Sequence, residues 1–302
     1  MKRTSYLILL LLLASLSSYS QNQSGEDSTG LPGDNFSLQG ALQMFQQANS
    51  IEEFEKLLNT QSNHVNNLDL NADGEIDYIR VIDKADKDVH AFVLQVPVSE
   101  NESQDIAVIE LEKTGTESAM IQIVGDEDIY GEEVIVEPDG GEESSSFNLS
   151  NSQFSGPNAE AFINTQAIVV NVWLWPCVRF VYGPLYRPWV SPWRWRYYPV
   201  WWKPWHPFAW VVWHPFRVVY HRPFVIVHTH RVVRAHAVYR PYRVTSVSVI
   251  TRHSIAIGNY RVTRSKTTVT GPRGNTTIKK NTTVKGPRGH VKAKKTTVKR
   301  RG

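Results

Sequence analysis

Carboxylates are missing from nearly half of this 302-residue chain, because no Asp or Glu follows Glu160. Residues 161–302 therefore cannot supply a carboxylate acid–base pair of their own. Cysteine is almost absent. The single Cys177 excludes an intramolecular disulfide. It reads first as a buried apolar thiol, with an intermolecular disulfide as the alternative in an oxidising compartment. Tryptophan is absent before Trp173 and after Trp213. Catalytic signatures are absent too: a Gly-rich phosphate loop, GxSxG, HExxH, and a Cys/His pair with an orienting acid. These absences argue for a non-enzymatic protein without a small-molecule substrate.

What is present falls into two opposed parts, concealed by a formal net charge of +4. Residues 1–160 hold all 29 acids against seven basic residues, a net of −22, whereas residues 161–302 hold 26 basic residues and no acid. Such asymmetry points to charged partners rather than to one evenly mixed surface. The basic part also holds all ten Trp (173–213), ten of the sixteen Pro (176–241) and six of the ten His (206–236).

The N-terminus reads as an export signal over residues 1–20. Lys2 and Arg3 precede the apolar run Tyr6–Leu13, and Ser18-Tyr19-Ser20 supplies small residues before Gln21. The apolar run is short for a membrane span. The mature chain is expected in the periplasm, on the outer surface or secreted, so no specific nucleic acid is expected as its partner.

Residues 21–35 read as a linker and 36–138 as an acidic α+β domain. Leu38–Ala48 is expected to be helical. Ser50 and Glu53 form a capping box for a second helix, with Ile51, Phe54, Leu57 and Leu58 on one face. Five strand-like runs follow: Ile76–Ile82, Val89–Val98, Ile106–Glu112, Ala119–Val124 and Glu133–Glu137. Their short gaps predict an antiparallel meander. The domain's acids, dispersed over loops and strand edges, read as a solvated face.

Residues 139–165 are a Ser/Asn/Gly linker, and 166–262 a Trp/Arg/Pro/His-rich basic region. An eight-residue repeat runs through the latter: WHPFAWVV (205–212), WHPFRVVY (213–220) and HRPFVIVH (221–228). Pro at that spacing predicts an irregular, extended region broken by turns, without helix interiors. Val225–Val233 and Val244–Ile257 alternate like strands. The tail, 263–302, repeats Gly-Pro-Arg-Gly from Gly271 and Gly286 with Thr-Thr-Val between, and reads as a disordered basic tail.

Two constellations carry candidate chemistry. Asp69, Asn71, Asp73, Glu75 (through its carbonyl) and Asp77, with Gly74 at the sharp turn, have the alternation of a calcium loop, since a hard cation needs several oxygens from a curled backbone. Arg80 at position 12 cannot coordinate, which implies weak binding or help from Asp126 or Asp128. The alternative is an Asx-rich turn before a strand. The second set is Trp193, Arg194, Trp195, Arg196, Trp201, Trp202, Lys203 and Trp205. Interfacial Trp and headgroup-pairing Arg suit an anionic lipid or polysaccharide surface. The alternative is that these rings pack on the acidic domain. His228 and His230 share a strand face, with His221 and His236 as further candidates, but no carboxylate accompanies them in sequence. Decoration is favoured over a metal site.

Residues 66–115, 119–138 and 170–205, with the GPRG tail, resemble a family of exported Bacteroidota proteins that carries no assigned activity. The resemblance implies export and the two-part layout. Two expectations follow: a cell-envelope protein attached to an anionic surface, or a self-associating protein held by pairing of its acidic and basic parts within or between chains.

Overall fold

A computed structural model describes residues 28–140 and 169–260, together with the backbone of 262–270, 276–285 and 291–301. The expected signal, most of the Ser/Asn/Gly linker and the Gly-Pro-Arg-Gly units lie outside the described residues.

Two serines start the N-terminal helices, α1 (Leu38–Gln47) and α2 (Ile51–Leu58). The Ser37 and Ser50 hydroxyls accept from the Gly40 and Glu53 N–H groups, donors that no helical carbonyl can reach. Glu53 does not close the expected box on Ser50. Its carboxylate accepts from the Asn49 N–H at 2.8 Å, one residue earlier. Ile51, Phe54 and Leu58 are buried as the periodicity requires, and Leu57 is half-buried. Upstream, residues 28–35 are packed rather than free: Thr29 and Leu31 are buried, and Pro32–Asn35 forms a 3-10 turn.

The meander follows as β1 (Arg80–Asp86), β2 (Val89–Pro97), β3 (Ser103–Gly115), β4 (Ser118–Gly125), a helical turn α3 (Glu127–Tyr130), and β5 (Val134–Pro138). Consecutive strands pair antiparallel. The α+β class is as expected, but β1 starts four residues later than its hydrophobicity suggests. The backbone before it is already bonded elsewhere. Asn59 brackets Ile79 through its side chain, Asp77 N–H reaches Leu68, and Ile76 N–H reaches the Trp205 carbonyl. After β4, Tyr130 lies between two glycines. A Cβ on Gly33 or Gly125 would come within 2.5 or 2.7 Å of its ring.

The basic part completes this sheet. After α4 (Pro176–Val181) and α5 (Trp210–Val218), β6 (Phe224–Val227) pairs with β5. One row of paired positions runs Phe92, Ile109, Ile123, Val136, Ile226, and faces α1, α2 and α4. The opposite row, Val93, Val108, Val124, Ile135, Val227, is covered by α6 (Val233–Tyr239) through Tyr239. Each buried aliphatic or Phe side chain in these rows contributes about 1.5–3 kcal/mol. At the far edge, residues 189–191 cap β1. Asp83 N–H donates to the Trp189 carbonyl, and Ser191 N–H to that of Val81. Covering an open strand edge in this way blocks pairing with other chains.

Three expectations for the basic region change. It contains helices as well as extended chain, and Pro215 sits inside α5. Val211, whose carbonyl a non-proline N–H at 215 would reach, is solvent-exposed. The three repeat units adopt different structures: the second lies mostly in α5 and the third supplies β6. Val244–Ile257 is not a strand, because Ser246 caps a helix, α7 (Val247–Asn259). A short Val-Ser-Val-Ile run fits either period, and the cap decides. In the tail, the strands β7 (Val262–Thr270), β8 (Thr276–Lys285) and β9 (Val291–Arg301) form an antiparallel sheet where disorder was expected. Their Thr and Val content favours extended backbone.

Glu55 joins α2, β1 and the basic segment. Its buried carboxylate accepts from Tyr78 Oη (2.9 Å), Val81 N (2.8 Å), Trp189 Nε1 (3.2 Å) and Ser191 Oγ (2.8 Å). Glu55→Gln replaces one acceptor oxygen with an NH2 that faces donors. We expect a loss of about 1–3 kcal/mol in urea unfolding, the usual cost of stranding buried donors. An unchanged midpoint would contradict this reading.

Candidate functional site

The second face of the sheet carries the acids that read as solvated, and they are buried. Asp105 and Glu110 are 0 % exposed, and Glu112, Asp126 and Glu137 are also buried. Their partners come from the basic part. Glu112 accepts from the Arg234 and Ala235 N–H groups and so caps α6. Asp105 accepts from Tyr239 Oη (3.1 Å) and Val244 N (2.8 Å). Gln122 accepts from the Arg231 and Val232 N–H groups. Arg243 Nε reaches Asp126 at 2.6 Å, and its Nη2 reaches Asp128 at 2.7 Å. Burial pushes the carboxyls of Asp105 and Glu137 above the ordinary range. The Asp126 hydrogen bond raises Arg243 further.

Asp126 and Asp128, the acids expected to help the Asp loop, both accept from Arg243. Within the loop, Asp69 accepts from the Asp73 and Gly74 N–H groups, and Asp73 from Glu75 N. Ala72 (φ 59°) and Gly74 (φ 84°) supply the left-handed turns. Asn71 Nδ2 donates to Asp73 Oδ2 (2.9 Å) and Asp77 Oδ1 (3.3 Å), gathering the side chains into one turn. This is an Asx-turn network, with the carboxylates of Asp69 and Asp73 near the buried Asp77. Glu75 is exposed, and Arg80 turns away to Gln95 and Ser103. The basic part clasps the loop: His206 Nδ1 lies 2.7 Å from the Gly74 carbonyl, and Arg252 donates to that of Leu70.

The aromatic block splits between support and surface. Trp202 is buried edge-on to Tyr78, with Tyr198 and Trp205 beside it. Trp193, Trp195 and Trp205 are half-buried, while Trp201, Arg194, Arg196 and Lys203 are exposed. Arg194 stacks over Tyr197 and Arg196 over Trp195. Trp213, outside the expected set, is fully buried and donates to the Asp34 carbonyl at 2.9 Å. Cys177 is buried in the core, and burial pushes its thiol well up, away from the thiolate that disulfide exchange needs.

In sequence, His230 lies beside His228 with no carboxylate near. The fold instead brings His230 and His236 onto Glu110 of β3, and leaves His228 exposed. No sequence signal marks this meeting, since Glu110 lies more than a hundred residues upstream. Among the described residues no helix is long and apolar enough to cross a membrane. Comparison of the chain with family models, with curated proteins and with solved structures found no match.

Burial, then the neighbouring Asp69 and Asp73, pushes Asp77 up to about 7 from an ordinary 3.8. A folded pKa above the unfolded one means that the folded chain retains a proton the unfolded chain has released. Stability from this group is complete below about pH 4 and is lost as pH rises to about 7, at about 1.4 kcal/mol per pKa unit. Asp77→Asn should flatten this decline, and in chelator at pH 8 its urea midpoint should exceed that of the wild type. Parallel pH curves for the two proteins would refute the assignment.

Proposed function

We propose that the chain is a non-enzymatic, exported cell-envelope protein whose aromatic, basic part associates with an anionic surface such as lipid headgroups, lipopolysaccharide or another polyanion. One observation carries the reading. Every exposed large apolar side chain among the described residues lies between Val169 and Ile255, in the part without a carboxylate. Val200 is 98 % and Leu185 90 % exposed, and Val190, Tyr197 and Trp201 are exposed beside them in sequence. Arg194, Arg196 and Lys203 are interleaved with these residues. Apolar side chains enter the headgroup region while cations meet the phosphates. The tail adds Lys and Arg on β7–β9 and no acid.

Self-association through opposed charges is the less favoured reading. The buried acids meet their donors within one chain, which leaves fewer of them for a neighbour. The calcium reading of the Asp loop rests on the gathering of Asp73 and Asp77 around Asn71. It requires that calcium raise the melting temperature over chelator, and that Asp73→Asn abolish the rise.

Co-sedimentation with vesicles tests the surface reading. Binding should favour anionic over neutral vesicles and weaken at high salt. Replacing Arg194, Arg196 and Lys203 together by Gln should cost about 1 kcal/mol per charge. Equal binding to both vesicle types, or none, would remove the proposal.

A further inference from the structure

We propose that Glu110, His230 and His236 form a three-ligand site for a zinc-class divalent transition-metal ion, which ties strand β3 to the loop and helix of the basic part. The site is independent of the surface association proposed above.

The Glu110 side chain is 0 % exposed under α6. Its Oε1 lies 2.7 Å from His236 Nδ1. Its Oε2 has no hydrogen-bond partner among the described residues, and neither does His230 Nδ1, 3.8 Å away. Two buried polar atoms thus meet at ion-pair range without a hydrogen bond, at a place where native structures nearly always provide one. An ion bound between them supplies a partner for both.

The surroundings orient the ligands. His230 Nε2 lies 3.4 Å from Glu133 Oε2. With an ion bound at Nδ1 the ring proton sits on Nε2, where Glu133 can accept it. Such outer partners fix the tautomer of metal-binding histidines. The two imidazoles are 4.2 Å apart, and one ligand atom from each of the three residues falls within 4.8 Å of the others. Tetrahedral zinc, with bonds of about 2.0–2.2 Å, separates its ligand atoms by roughly 3.3 Å. Binding therefore closes the His230–Glu110 pair from 3.8 Å and opens the His236–Glu110 pair from 2.7 Å. His230 can supply this movement, because it lies between β6 and α6 in neither element.

Two imidazoles and one carboxylate select zinc and its neighbours over calcium or magnesium, which require mostly oxygen ligands. Three protein ligands leave a fourth position open. Glu133 and His236 also line a cleft of about 330 Å³ with Tyr239, Arg240, Arg243 and Thr245.

The test titrates the metal-free full chain with Zn2+, and with Co2+ as a spectroscopic probe. One ion per chain should bind, with the intense visible absorption of four-coordinate Co2+ and a higher melting temperature. His230→Ala and His236→Ala should each weaken Zn2+ binding at least tenfold. Glu133→Gln, an exposed change that leaves packing intact, should weaken it several-fold. His228→Ala and Asp73→Asn should not alter it. Absence of saturable binding by the wild type would overturn the site. So would affinity unchanged in the histidine variants, or, should those fail to fold, affinity unchanged in Glu133→Gln.

Discussion

Seven carboxylates of the acidic half (Glu55, Asp83, Asp105, Glu110, Glu112, Asp126 and Glu137) are buried and contact groups of residues 186–244. A buried charge without donors is costly, and the acidic half has few cations to offer. The basic segment brings Arg, His, Tyr and Ser side chains and free backbone N–H groups to these acids. The rest of the architecture depends on this satisfaction. Without it, these acids would be buried without donors, and α6 would lose the acceptors that set its register.

These polar contacts place the segment more than they hold it. Buried ion pairs seldom stabilise beyond what apolar replacements would give. The bulk of the stability lies in the apolar rows on both faces of the sheet and in the aromatic packing around Tyr78 and Trp202. Charge and register act together: Glu112 caps α6, which sets Tyr239 against Asp105 and His236 against Glu110. One helix docked in one register thereby satisfies three acids.

Local features were legible in the sequence. Ser50 marks the start of α2, and the strand-like runs mark β2, β4 and β5 to within a residue or two. Non-local ones were not. Ile76–Ile79 looks like strand but bonds to Asn59, Leu68 and Trp205. Glu110 and Glu112 look like solvent-facing positions because their cover arrives from residues 230–236. The eight-residue repeat suggests one repeated structure, yet α5 and β6 differ because one unit meets Asp34 and the other meets β5. The aromatic set was partly legible: Trp201 and its neighbouring cations are exposed, and Trp202 is core.

The acidic and basic parts are expected to unfold as one cooperative unit. All ten Trp lie in residues 173–213, so their fluorescence reports the basic part alone, while amide exchange in β2–β4 reports the acidic part. Urea titration read by both probes distinguishes one transition from two. Coincident midpoints are expected. Loss of the native Trp signal at lower urea, with β2–β4 amides still protected, would contradict this expectation.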